Sequence, residues 1–134
     1  METIVVDANI VVALFDEQDS THEQAVALMK DFHVRGSRLV MVNLAVYEAL
    51  TVLHMKDCRT QARAFYEVVR TNPRIYTVYV TGELESRAYL RFREAASKNM
   101  SFADCAIIAV AEAVNASAIA SFDSHIKRCS KVVP

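Results

Sequence analysis

The sequence predicts an α/β fold in which helices cover a central, mainly parallel sheet of four to five strands. Short β-branched and apolar segments alternate along the chain with longer segments of helical periodicity, and this alternation is typical of parallel sheets. The 134 residues contain no Pro-, Gly- or Ser-rich linker, so we expect a single domain over residues 1–134. Neither a P-loop nor a dinucleotide-binding fingerprint can be built from the chain's two glycines, which excludes nucleotide binding through such a loop.

The first predicted elements are one strand and two helices. Residues 3–6 are all β-branched, which is typical of a short buried strand. A short helix is predicted over residues 10–15. The next helix begins near Thr21, because Thr21 and Gln24 have the spacing of a capping box, and Gly36 can end it.

The middle of the chain contains two further strands with two helices between them. Residues 38–42 form an apolar segment that predicts the second strand. Helical periodicity follows over residues 44–56 and 60–69, and Pro73 prevents the second of these helices from continuing. Residues 75–80 predict the third strand.

The last third of the chain predicts helices and the closing strands. Residues 83–98 form a charged amphipathic helix, and residues 101–115 form the most apolar helix of the chain. Residues 118–122 predict the fourth strand and residues 123–128 a short helix. A short fifth strand is predicted over residues 131–133.

Aromatic and apolar side chains on the two middle helices have two interpretations. Their helical spacing places them in the core, which is the interpretation we favour. The alternative is a surface that binds a partner, and the hydrophobic share of 53% favours some apolar contact with a partner. The residues concerned are Tyr47, Met55, Phe65 and Tyr66.

The charge of the chain is nearly balanced. Fifteen basic and 16 acidic residues give a net charge of -1, so attraction of a nucleic acid has to come from a local basic cluster. Arg87, Arg91 and Arg93 on one predicted helix are the candidate RNA contacts, with an ordinary solvated helix face as the alternative. A second basic group consists of Lys127, Arg128 and Lys131.

The cysteines and the apolar segments predict a cytoplasmic protein. The three cysteines have neither zinc-site nor redox-motif spacing, which favours an intracellular, reducing location. The chain begins without a signal-peptide pattern, and charged residues interrupt every apolar segment before it reaches the ~20 residues that a membrane span needs. We therefore expect no contact with a membrane.

Two aspartates directly follow predicted strands. Asp7 comes after the first strand and Asp123 after the fourth, with Asn9 and Ser121 beside them as supporting hydrogen-bonding groups. If these strands are neighbours, both carboxylates project into the crevice at the carboxyl edge of the sheet. Each aspartate could instead be a helix N-cap, and Asp123 could pair with Lys127 four residues on.

Two further acids lie one turn into predicted helices. Glu48 is the only charged residue in an apolar run, and its helix begins at the carboxyl end of the second strand. Asp104 lies at the same depth in the apolar helix that follows Ser101. The alternatives are an exposed Glu48 and a capping box between Ser101 and Asp104. We expect the capping role and the crevice role of Asp104 to require different rotamers.

Convergence of the four acids at one edge of the sheet predicts a metal site. Clustered carboxylates raise one another's pKa unless a cation compensates their charge. Ligand sets made only of oxygen select Mg²⁺ or Mn²⁺. Such an ion suits phosphodiester hydrolysis because it neutralises developing charge and activates water. The sequence therefore predicts a hydrolytic nuclease in which Asp7, Glu48, Asp104 and Asp123 hold the metal, with Asp123 the least expected to touch it directly.

The order of these motifs resembles that of PIN-domain ribonucleases, most closely the toxins of VapBC-type toxin–antitoxin pairs. The resemblance covers essentially the whole chain and depends on residues 5–9, Glu48, residues 102–109 and residues 120–123. It implies a three-layer α/β/α sandwich and metal-dependent endonucleolytic cleavage of RNA by the four acids. It also implies a homodimer and a cognate antitoxin that covers the active site.

Two other functions remain open from the sequence. The first is a PIN-type nuclease that processes RNA without an antitoxin. The second is a non-catalytic α/β module that binds Mg²⁺ in an acidic pocket, as receiver domains do. The receiver interpretation lacks its phosphorylatable aspartate, because the third predicted strand ends at Val80 and Thr81 follows it.

Overall fold

The computed structural model describes residues 1–127 and 132–133 of the chain, apart from the side chains of Lys127 and Val132. This part contains five strands and seven helices. In chain order they are β1 (Thr3–Val6), α1 (Ala8–Phe15), α2 (His22–Val34), β2 (Arg38–Val42), α3 (Asn43–Met55), α4 (Arg59–Thr71), β3 (Ile75–Val78), α5 (Gly82–Glu94), α6 (Phe102–Ala113), β4 (Ala118–Ala120), α7 (Ser124–Lys127) and β5 (Val132–Val133).

All strands are parallel, and their order in the sheet is β3-β2-β1-β4-β5. The central strand is β1, in which Val5 lies opposite Val40 of β2 and Ile119 of β4. From β1 the chain builds β2 and β3 on one side and later β4 and β5 on the other. The boundary between β1 and β4 is therefore a topological switch point, where a crevice opens at the carboxyl ends of the strands. The predicted parallel α/β sheet is confirmed.

Helices cover both faces of this sheet. Consecutive side chains of a strand point to opposite faces, and Ile4, Val5 and Val6 are all buried. Helices α1 to α4 pack on one another, whereas α5 packs on α6, which contacts β1, β2 and β4. Residues 105–111 of α6 are buried without interruption, which explains why this helix is the most apolar of the chain. The predicted three-layer α/β/α sandwich is thus confirmed.

The capping box predicted at Thr21 is wrong. Thr21 does precede α2, but its side chain makes no capping hydrogen bond. Its hydroxyl instead donates to Oδ1 of Asp19 at 2.7 Å, and the same oxygen accepts from the Thr21 backbone N–H at 2.9 Å. Short polar side chains bond nearby backbone and side-chain groups as readily as they cap helices, and here the nearest carboxylate binds the hydroxyl.

The expected core positions on α3 and α4 are confirmed only for Phe65, which is buried. Tyr47, Met55 and Tyr66 are 50%, 78% and 42% exposed, so the core prediction is wrong for these three. The buried stripe of α3 lies along Ala45, Ala49 and Leu53 at helical spacing, which leaves Tyr47 and Met55 on the outer side. These exposed side chains are available to a partner.

Several sequence predictions lie outside the described residues. They concern the ends of the last helix and strand at Arg128 and Lys131, and the pairing of the Lys127 side chain with Asp123. The basic group at Lys127, Arg128 and Lys131 lies outside them as well. Among the helices that the structure describes, none is both long and apolar enough to cross a bilayer.

Candidate metal centre

Asp7 lies at the switch point of the sheet. It directly follows β1, and its backbone N–H donates to the carbonyl of Ala120 in β4 at 2.9 Å. It is also the N-cap of α1, since Oδ1 accepts from the backbone N–H of Ala8 at 2.7 Å. The side chain is buried. Asp7 is therefore both the N-cap of α1 and a residue of the crevice.

Asn9 and Ser121 fix the second oxygen of Asp7. The Ser121 hydroxyl donates to Asp7 Oδ2 at 2.7 Å, and the Asn9 amide donates to the same oxygen at 3.3 Å. Asn9 also accepts from the Phe122 backbone N–H at 3.1 Å, and Ser121 Oγ accepts from the Asp123 N–H at 2.9 Å. These bonds connect the segment after β1 to the segment after β4.

Asp123 is also held locally. Its Oδ1 accepts from the His125 backbone N–H at 2.8 Å and lies 2.9 Å from His125 Nδ1. His125 was not predicted to be a neighbour of the site. Its position two residues after Asp123 is a signal that could have found it, because aspartate commonly accepts bonds from the residue two positions on.

Asp104 combines two roles, in the capping box and in the crevice, that were expected to be separate. A capping box is present, in which Ser101 Oγ accepts from the Asp104 N–H and Asp104 Oδ2 accepts from the Ser101 N–H, each at 3.0 Å. In the same conformation, an Asp104 oxygen takes part in a cluster with Asp7 and Asp123. The expectation that the two roles need different rotamers is wrong, because a carboxylate has several acceptor positions on its two oxygens.

Three of the four predicted acids form a compact group. Asp7, Asp104 and Asp123 each offer one carboxylate oxygen, and these oxygens all lie within 4.8 Å of one another. Glu48 lines the same cavity, of about 340 Å³, but is not a member of this group. It is exposed on α3, as the alternative interpretation of this residue had it. The structure thus brings all four acids to one cavity and places three of them at ligand spacing.

The electrostatics of the cavity favour a cation. Burial raises the pKa of Asp7 from its ordinary 3.8 to about 6, and repulsion by Asp104 and Glu48 contributes, against hydrogen bonds from Ser121 and Ala8. Partial burial, followed by repulsion from Asp104 and Asp123, also raises the pKa of Glu48. None of the described residues lining the cavity is Lys, Arg or His. A divalent cation would supply the missing positive charge, and carboxylate oxygens suit Mg²⁺ or Mn²⁺.

The arginines predicted to contact RNA are not part of this cavity. Arg91 forms an ion pair with Glu112 of α6, and Arg93 lies 3.4 Å from a carboxylate oxygen of Glu94. Neither they nor Arg87 line the acidic cavity. The loop after α1 does line it, through Asp19 and Thr21, and neither residue was predicted to belong to the site.

The chain is similar to a known protein family and to several solved structures. The PIN domain family model matches residues 4–132. VapC20 from Mycobacterium tuberculosis, described as a sarcin–ricin loop cleaving toxin, has a TM-score of 0.80 and 21% identity over 93% of each chain. FitAcB from Neisseria gonorrhoeae has a TM-score of 0.67 and 18% identity, over 98% of this chain and 96% of that chain. VapBC2 from Rickettsia felis, solved with a DNA fragment from its promoter, has a TM-score of 0.65 and 12% identity, over 98% and 97%. No curated protein matches significantly. At these identities the solved structures show a shared fold.

Proposed function

Because the chain belongs to the PIN domain family, we propose that it is a Mg²⁺- or Mn²⁺-dependent endoribonuclease that acts as the toxin of a toxin–antitoxin pair. The observation that carries the proposal is the group of Asp7, Asp104 and Asp123, whose ligand oxygens lie within 4.8 Å of one another at the switch point. Ligands of parallel α/β sheets bind at this kind of crevice.

The acidic group would hold the metal, and its neighbours would keep it in place. When bound, the ion neutralises charge that develops on the phosphodiester and lowers the pKa of an attacking water. Ser121 and Asn9 orient Asp7 by donating to Oδ2. The backbone N–H of Ser101 orients Asp104 by donating to its Oδ2. Because ligands of this kind are already oriented, the site does not have to reorganise during the reaction.

Glu48 has the position of a proton acceptor. Its side chain lines the cavity, outside the compact group. Partial burial and the charges of Asp104 and Asp123 raise its pKa, and a general base works best when its pKa approaches the working pH. We therefore assign Glu48 the role of accepting a proton from water, in addition to the metal-ligand role predicted from the sequence.

Removal of divalent metal should abolish RNA cleavage. Incubation of the protein with a labelled RNA in excess EDTA is expected to lower the cleavage rate by at least about 100-fold, because the acids then lack their compensating cation. Addition of Mg²⁺ or Mn²⁺ in excess of the chelator should restore the rate. Gel separation of the fragments gives the measurement. Equal cleavage with and without EDTA would contradict the proposal.

The toxin role rests on the similarity to VapC20, which is described as a toxin, and on exposed apolar side chains that a second copy or an antitoxin could cover. Tyr47 and Met55 of α3 and Tyr66 of α4 are such side chains. Expression of the wild-type chain in a bacterial host should stop growth, and expression of Asp104→Asn should not. A host that grows normally with active, metal-dependent nuclease inside it would favour the antitoxin-free alternative.

A further inference from the structure

The wall of the acidic cavity contains a fifth carboxylate, that of Asp19. It belongs to the loop between α1 and α2, and it lines the cavity together with the compact group and Glu48. A lysine lies next to the Asp19 carboxylate. Lys56 Nζ is 3.5 Å from Asp19 Oδ2.

Lys56 binds a second acid in the same loop. Its ammonium lies 2.6 Å from Oδ2 of Asp16, a buried residue, whose Oδ1 accepts from the Gln18 backbone N–H at 3.0 Å. The hydrogen bond from Lys56 lowers the pKa of Asp16 and raises that of Lys56, and bonds from Thr21 followed by Lys56 lower the pKa of Asp19. All three groups are therefore charged at neutral pH.

These contacts fix the direction of the Asp19 carboxylate. Oδ1 accepts two bonds from Thr21, and Oδ2 faces Lys56. Asp19 is absent from the group of acids that have ligand spacing, although it lines the same cavity. Lys56 is the C-cap of α3, the helix that carries Glu48, and Asp16 is the C-cap of α1, the helix that begins after Asp7. The network thus joins the far ends of two helices that border the site.

We propose that Lys56 is a positioning residue that holds Asp19 out of the metal ligand set and offsets its charge, so that Asp19 does not join Asp7, Asp104 and Asp123 as a ligand of the ion. This inference rests on the metal site of the proposed function. Without Lys56, the cavity gains an uncompensated negative charge near its other acids. A cation is then attracted more strongly, whereas the phosphates of RNA are repelled more strongly.

The opposite signs of these two effects distinguish positioning from a general structural role. A loosened fold weakens the binding of both ligands. A shift in cavity charge strengthens the binding of Mn²⁺ and weakens that of RNA. In water, one charge about 10 Å from a divalent ion changes its affinity by about fourfold.

The experiment compares Lys56→Met with the wild-type chain. Binding of Mn²⁺ to the metal-free protein is followed by the loss of its free EPR signal, and binding of a fluorescent single-stranded RNA is followed by anisotropy in EDTA. We expect Lys56→Met to bind Mn²⁺ about fourfold more tightly and RNA about two- to fourfold more weakly. Lys56→Arg should match wild type, because it keeps the charge. Lys30→Met, at an exposed position on α2, is the matched control.

Unchanged or weaker Mn²⁺ binding by folded Lys56→Met would overturn the inference. If that variant fails to fold because Asp16 is left buried without its cation, Asp16→Leu/Lys56→Met removes one charge of each sign. This double variant releases Asp19 from Lys56 at unchanged net charge, so Mn²⁺ binding should still tighten, but by less than fourfold. Adding Asp19→Asn to Lys56→Met should restore wild-type Mn²⁺ affinity, and adding it to the double variant should abolish the gain. Cleavage is not used as a readout, so a wild type that binds Mn²⁺ but cleaves no RNA would refute the proposed function alone.

Discussion

Asp104→Asn is expected to lower metal-dependent RNA cleavage by about 10³-fold, equivalent to about 4 kcal/mol of transition-state stabilisation. The substitution removes one charge from the compact group of three acids. The asparagine oxygen can still accept from the Ser101 N–H, and the backbone N–H of residue 104 can still donate to Ser101 Oγ. The capping box of α6 therefore survives, and the loss should appear in the rate and not in the melting temperature.

Asp57→Asn provides the matched control for this variant. Asp57 undergoes the same change of one oxygen to an amide, but its side chain is 90% exposed and it does not line the acidic cavity. Its φ of 60° suits asparagine as well as aspartate. Both variants are purified in the same way and assayed on one RNA in Mg²⁺, so that any contaminating nuclease appears equally in both. An Asp104→Asn rate above a tenth of the wild-type rate would be inconsistent with a metal-ligand role.

The parallel sheet and the position of Asp7 and Asp123 after its strands were predictable because both follow from local sequence. The run of four β-branched residues in β1 is buried on both faces. Because Asp7 directly follows this strand, it lies at the carboxyl edge of the sheet. The parallel order of strands then brings Asp123 to the same edge. The position of Glu48 outside the compact group was not predictable. A side chain one turn into α3 can point toward the metal ligands or toward the cavity wall, depending on how the helix is packed.

Contacts between distant segments account for what the sequence did not reveal. Asp16 and Lys56 are 40 positions apart in the chain, and their proximity depends on the packing of α1 against α3. The capping box predicted at Thr21 also failed because of a contact with another residue. The Thr21 hydroxyl donates to Asp19, whose other oxygen faces Lys56. Propensity rules describe each segment alone and do not include such partners.

In the absence of metal, Asp7 should destabilise the folded chain as the pH rises from about 4 to about 7. Its pKa is 3.8 when unperturbed and about 6 in the fold, mainly because of burial. The folded state therefore binds this proton more tightly than the unfolded state does. Its contribution to stability is complete below pH 3.8 and is lost as the pH rises through 6, and the difference corresponds to about 3 kcal/mol.

Asp7→Asn isolates this contribution, because the lowered pKa values of Asp16 and Asp19 act in the opposite direction on both proteins. Urea unfolding in EDTA at pH 4.5 and 7.5 should show the variant gaining about 2 kcal/mol relative to wild type between the two pH values, since pH 4.5 is above 3.8 and part of the Asp7 contribution is already lost there. Saturating Mn²⁺ at pH 7.5 should reverse the order, because only the wild type retains its full ligand set. A stability difference that is the same at both pH values, or a variant that Mn²⁺ stabilises as much as wild type, would show that the Asp7 carboxylate is not the buried charge that the metal compensates.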